Sequence, residues 1–183
     1  MAVNIFQKLE IEAFRAGVTP RTKQSIEWFR KKAAALGKIS RSNIFDEPEI
    51  KTSVKAETDV DGPLGQMYMF QYDPKYRLTL PYYDAFPLVI ITGGRPGGFM
   101  GMNLHYLPPV LRAKLLDGLL GGNMSIARKY IEPTIHRYLN NHVRSQFALV
   151  ERPEWEIATF LPTADFRKAT AAQVYRDSRK RVN

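Results

Sequence analysis

Apolar residues recur at helical spacing twice in the first part of the chain. Asn4 can cap a first helix carrying Ile5, Phe6, Leu9 and Ala13, with Gly17 placed to end it. Thr19-Pro20 predicts a restart, because a threonine oxygen can accept an orphan N–H and proline suits the first helical position. This second helix runs to Leu36 and stops at Gly37, with Trp28, Phe29 and Ala33 inward and Lys23, Arg30 and Lys31 keeping its other surface basic. Residues 38–66 hold no period; Asp46, Glu47, Glu49, Glu57, Asp59 and Asp61 alternate with Pro48 and Gly62-Pro63, which predicts an extended linker.

From residue 67 the pattern shifts. MYMFQY (67–72) and FPLVIIT (86–92) are apolar runs of strand length, and GFMGMNLHY (98–106) is a looser third. The glycines at 93, 94, 97 and 98 around Arg95-Pro96 predict a β-hairpin between the last two. DPKYRLTLPYYDA, with Pro74 and Pro81, predicts no regular structure. Pro108-Pro109 opens a helix through Leu120, closed by Gly121-Gly122; Ser125 can cap another, and Pro133 starts a new turn. EWEIATFL (154–161) alternates as a strand does, and Thr163 is placed to cap a closing helix that holds Arg176, Arg179, Lys180 and Arg181.

The expected fold is α+β: a small antiparallel sheet of three or four strands packed with several helices, plus an N-terminal helical arm. The domain reading is a basic helical arm over 1–44, an acidic extended linker over 45–66, and an α+β core over 67–183 with a basic C-terminal helix.

Composition narrows the class. The 183 residues are 44% apolar and 25% charged, a globular balance. There are no cysteines, which excludes disulfides, thiolate chemistry and cysteine-held metals. No run approaches the roughly 18 apolar residues of a membrane span, and Lys8, Glu10 and Glu12 break the N-terminus, so a soluble protein with no membrane partner is expected. The net charge is +9, distributed as +6 over 1–44, −4 over 45–66, +2 over 67–122 and +5 over 123–183. Basic ends point either to solvated helix faces or to contact with nucleic acid or an acidic protein. The candidate anion or partner contacts are Lys31, Lys32, Arg176, Arg179, Lys180 and Arg181.

Catalytic signatures are missing. His136 and His142 are six apart, neither a helical zinc pair nor a finger spacing, and His105 stands alone; ordinary hydrogen-bonded histidines are expected, with no metal. There is no G-x-S-x-G and no Walker lysine loop, and GGRPGGFMG reads as a hairpin turn before a phosphate loop. Asp73 and Asp84 bracket the proline-marked connection, but a general acid/base pair needs unlike environments that spacing does not supply. No catalytic residue, no cofactor and no enzyme are expected. Nine aromatic residues from Tyr68 to Tyr106 fall within 39 positions. Beside Lys75, Arg77 and Arg95 they could stack bases, with Tyr82 and Tyr83 as the candidate aromatic surface; filling the core edge of a small sheet is the preferred reading.

Several short motifs carry a resemblance. They are Met67–Tyr72 with Asp73-Pro74-Lys75, then Leu80-Pro81-Tyr82-Tyr83-Asp84 with Phe86-Pro87-Leu88, then Gly98-Phe99 and Asn103–Pro108. Phe166-Arg167-Lys168 and Val174-Tyr175-Arg176-Asp177 follow, so residues 65–178 are covered and the N-terminal helices and linker are not. In these the chain resembles a family of virion proteins from large contractile-tailed bacteriophages, including DNA end protectors. The resemblance implies a virion protein made in the host cytoplasm, present in multiple copies within a symmetric assembly, and implies no catalytic residues. The leading functional expectation is a non-enzymatic structural component at the neck, tail or baseplate, held by contacts with other virion proteins. The alternative is a DNA-binding virion protein that shields or caps the end of the packaged double-stranded genome.

Overall fold

A computed structural model describes residues 64–121 and 130–182. The predicted N-terminal helices, nearly all of the acidic linker and the Ser125 cap lie outside the described residues. Among the described residues there are seven strands: β1 (Met67–Met69), β2 (Tyr83–Asp84), β3 (Leu88–Arg95), β4 (Gly98–Asn103), β5 (Ile135–Leu139), β6 (Ala148–Val150) and β7 (Phe166–Arg167). Three helices accompany them there: α1 (Pro109–Leu120), α2 (Trp155–Phe160) and α3 (Ala171–Val182). The fold is α+β. Its main sheet has five antiparallel strands in the order β5-β4-β3-β1-β6, more than the three or four expected, and β2 with β7 forms a separate two-stranded ribbon.

The sheet is buried on both faces, and alternation along each strand sorts the side chains between them. Met67, Met69, Leu88 and Ile90 face α1 and α2 in a core with Leu115, Leu116 and Trp155. Tyr68, Val89 and Ile91 point the other way, into an aromatic cluster of Phe70, Phe99, Tyr138 and Phe147. Within it the rings of Phe70 and Tyr138 meet edge to face at 5.4 Å, and Phe99 stacks on Tyr138 at 5.2 Å. Strands buried on both sides read as continuous apolar runs, which is why MYMF and LVII show no alternation in the sequence.

The β3–β4 hairpin forms as expected, but its turn is only Pro96-Gly97, since Arg95 already pairs with Gly98. Gly97 takes a φ of 70°, open to glycine at little cost, while Pro96 fixes the position before it. Gly93 and Gly94 instead extend β3, past a bulge between Ile91 and Gly93. Gly101 lies where any Cβ would overlap the Val89 side chain, so the close approach of β3 and β4 depends on it.

Two expectations fail here. EWEIATFL is not a strand: Glu151 and Glu154 form a reciprocal capping box around Pro153, starting a 3-10 turn (Arg152–Glu154) that runs into α2. Trp155, Ala158 and Leu161 are buried at intervals of three, and the Trp155 indole donates to the Val150 carbonyl at 2.9 Å. Thr163 does not cap the closing helix. Thr170 does, its hydroxyl accepting from the Gln173 N–H while the Gln173 amide oxygen accepts from the Thr170 N–H. Segment 73–85 is a chain of turns, as its prolines imply, but closes with β2. The IHRYL and ALV strands are silent in the sequence because each is too short to show a period.

Candidate nucleic-acid interface

Beneath the candidate surface is a sealed polar network centred on Asp84, at the end of β2. One carboxylate oxygen accepts the backbone N–H groups of Phe86 and Asp165, at 3.1 and 3.0 Å. The other accepts the Asn103 amide at 3.1 Å and His105 Nδ1 at 2.7 Å. His105 Nε2 in turn meets the Thr163 hydroxyl at 3.1 Å. Burial by itself would raise the Asp84 carboxyl, but the His105 charge and these hydrogen bonds outweigh it and hold it below the usual carboxylate range.

The Asp-His-Thr order matches the relay that activates a hydroxyl nucleophile. Yet His105 and Thr163 are 0% and 1% exposed, so no substrate reaches the hydroxyl in this conformation; the relay knits β2 to β4 and to the segment before β7. Asp73, the other carboxylate considered, is on the surface and chelates Arg77 through both oxygens. Arg112, from within the apolar stripe of α1, completes the buried frame. It donates to the carbonyls of Leu107, Thr159 and His105 and to the Tyr175 hydroxyl, tying α1, α2 and α3 together.

Above this frame opens a cleft of about 590 Å³ walled largely by tyrosines, including Tyr72, Tyr76, Tyr82, Tyr83 and Tyr106. Lys75, Arg137 and Arg181 supply positive charge around it. His136 lies in its wall with its ring 4.0 Å from that of Tyr106, and its Nε2 is buried without a hydrogen-bond partner. Burial pushes the His136 imidazole down to about 4, against a hydrogen bond to the Pro133 carbonyl that favours the proton. A second cleft, of about 340 Å³, adjoins the first and shares Pro81 and Tyr82 with it. Lys168, Arg176 and Lys180 line it. Tyr82 is the partition; its hydroxyl bonds Asp177 of α3, and burial and that carboxylate both raise its phenol.

The candidate residues therefore divide. Tyr82, Tyr83 and Arg181 meet in the tyrosine cleft, Arg176 and Lys180 in the adjoining one, and exposed Arg179 lines neither. Lys31 and Lys32 lie outside the described residues. Of the other aromatics, Tyr68, Phe70, Tyr72, Phe86, Phe99 and Tyr106 are buried, as the core-filling reading expects. Sequence reasoning gives no site role to Lys168, which it meets only inside the Phe166-Arg167-Lys168 motif, to His136, which it takes as an ordinary hydrogen-bonded histidine, or to Arg112. Arg112 leaves a trace of its own, as a charge inside the Leu111, Leu115, Leu119 stripe. Among the described residues no group of three or more His, Asp or Glu side chains is arranged to hold a metal ion, and no helix is long and apolar enough to cross a membrane.

No curated protein and no solved structure matches the chain. A family model does: the one described as phage T4 terminal DNA protecting protein matches residues 7–131, 125 of the 183. The match takes in most of the N-terminal arm and the whole acidic linker, which the motif resemblance does not cover, and stops short of the Phe166 and Tyr175 motifs. It favours the genome-end reading over a neck, tail or baseplate component, for which it offers nothing. The chain belongs to the phage T4 terminal DNA protecting protein family.

Proposed function

We propose that this protein binds the ends of linear double-stranded DNA packaged in the virion and shields them by occupancy, without turnover. The supporting observation is that the basic residues of α3 and the half-buried tyrosines share the walls of two adjoining clefts divided by Tyr82. Phosphate contact and ring stacking, the two interactions a DNA terminus offers, are thereby available side by side. Arg176, Lys180 and Arg181 neutralise backbone phosphates, with exposed Arg179 next to Lys180 on the same helix. The alternative residence in a neck, tail or baseplate interface has no observation of its own.

The test is protection of a linear duplex from an exonuclease, with a nicked circle as competitor. The protein should slow digestion, and the circle should compete poorly. Replacing Arg176, Arg179, Lys180 and Arg181 with glutamine should flatten the dependence of log affinity on log salt by up to about 0.9 for each phosphate no longer neutralised. An unchanged slope would move the DNA-binding surface elsewhere, and equal competition by the circle would overturn end binding itself.

A further inference from the structure

The loop from Asp73 to Leu80 carries two of the most exposed large apolar side chains among the described residues, Tyr76 at 62% and Leu78 at 85%. Such side chains usually sit on mobile tips; this loop is braced. Arg77 is held to Asp73 through both carboxylate oxygens, at 2.9 and 3.1 Å. The Arg77, Thr79 and Leu80 N–H groups bond back to the Pro74 and Tyr76 carbonyls. From across the surface Lys168 donates its ammonium to the Leu78 and Leu80 carbonyls at 2.7 and 2.9 Å, clasping the loop on either side of Thr79. Lys168 does so from a φ of 67°, the left-handed region, and is the only non-glycine residue with a positive φ among the described residues. A side chain with a Cβ is strained there, and such strain persists where the surroundings over-determine it.

A rigid loop that presents apolar surface to water fits a flat, apolar partner better than a charged one, and preorganisation lowers the ordering cost of binding. Resting on the DNA-end reading, we propose that Tyr76 and Leu78 form a stacking platform for the exposed face of the terminal base pair, with Lys168 as the positioning residue that holds it. A blunt duplex end is the one part of DNA that displays an open, uncharged aromatic face. The neighbours suit that occupant. Lys75 lies 5.4 Å from the Tyr76 ring, which puts a cation beside the platform, and the same loop supplies one wall of the tyrosine cleft. The platform distinguishes an end from the interior of a duplex, which phosphate contacts by themselves do not.

The experiment compares the full chain on a short blunt duplex and on the same duplex closed at both ends by hairpin loops. Wild type should prefer the open duplex. The Tyr76→Ala, Leu78→Ala double variant should bind the open duplex about tenfold or more weakly, change little on the closed one, and keep its salt slope. Because both side chains are exposed, its melting temperature should stay near wild type. Lys168→Met should weaken binding to the open duplex by more than it weakens binding to the closed one; equal weakening on both duplexes would make Lys168 a phosphate ligand and remove its clasp role. Retained preference for open ends in the double variant overturns the platform and leaves end binding standing. Absence of any open-end preference in wild type overturns end binding itself, and the platform with it.

Discussion

Two neighbouring regions of the fold treat histidine in opposite ways. Around Asp84, His105 has both ring nitrogens engaged and no solvent exposure. In the cleft above, His136 packs a tilted ring against Tyr106 but leaves Nε2 buried and unpartnered. The first arrangement is satisfied, so it stabilises the fold and has nothing left to offer a ligand. The second tolerates an unmade hydrogen bond, a cost of about 1–3 kcal/mol, at the wall of an open cavity. Tyrosines follow the same division. Tyr68 and Tyr138 are spent on ring contacts beneath the sheet, while Tyr76, Tyr82 and Tyr83 keep part of their faces open. A side chain's type does not assign its role; what its neighbours leave unsatisfied does.

The strongest way to break this contrast is to open the sealed side. His105→Ala leaves Asp84 buried with its charge partner gone, and should cost about 3–5 kcal/mol in urea unfolding. A loss below about 1 kcal/mol would mean that the network is wetter and less cooperative than its geometry indicates.

The cleft histidine makes a pH prediction. Its folded value of about 4 lies below the ordinary 6.5, so its contribution is complete above 6.5 and is lost as pH falls toward 4. In that window the unfolded chain binds the extra proton. His136→Phe, which keeps a ring against Tyr106, should therefore gain about 1–2 kcal/mol on wild type at about pH 5, beyond any difference between them at pH 8. Parallel pH profiles would place the ring nitrogen in water. Asp84 responds lower on the scale: its folded value is depressed, so the stability it supplies is present above the unfolded carboxylate value and is lost as pH falls through the folded one.

The smallest effect is expected at the partition. Tyr82→Phe removes the hydroxyl bond to Asp177 and should lower stability by about 0.5–1.5 kcal/mol. The ring remains, so affinity for DNA ends should stay within a factor of two or so. A large drop in affinity would show that the hydroxyl, not the ring, meets the nucleic acid.

Elements with strong local punctuation are legible in the sequence. Pro108-Pro109 sets the start of α1, and Pro96-Gly97 sets the hairpin, because proline and glycine restrict or free the backbone whatever surrounds them. Elements decided by tertiary packing are not. WEIATF reads equally well as alternation or as one helical turn, and the Glu151–Glu154 capping box with burial of Trp155 selects the helix. The site is partly legible: Tyr82, Tyr83 and the α3 basics stand out separately, but nothing in the sequence says that residues about a hundred apart share a wall. Lys168 stands in the Phe166-Arg167-Lys168 motif, but its clasp role is hidden, since a surface lysine has no pattern of its own and its left-handed backbone follows from packing.

The order in which the strands and α3 occur along the chain has a consequence for biosynthesis. β1 sits between β3 and β6, so one of its edges has no partner until residues 148–150 leave the ribosome. The cleft comes later still, because Arg181 and the Asp177 partner of Tyr82 belong to α3, and Ser178 of that helix docks on the Tyr106 carbonyl at 2.6 Å. A nascent chain thus presents neither the finished sheet nor the finished basic face until α3 has been made. The basic face that α3 contributes is therefore assembled after the sheet beneath it, and an intermediate lacking α3 is without Arg176, Lys180 and Arg181.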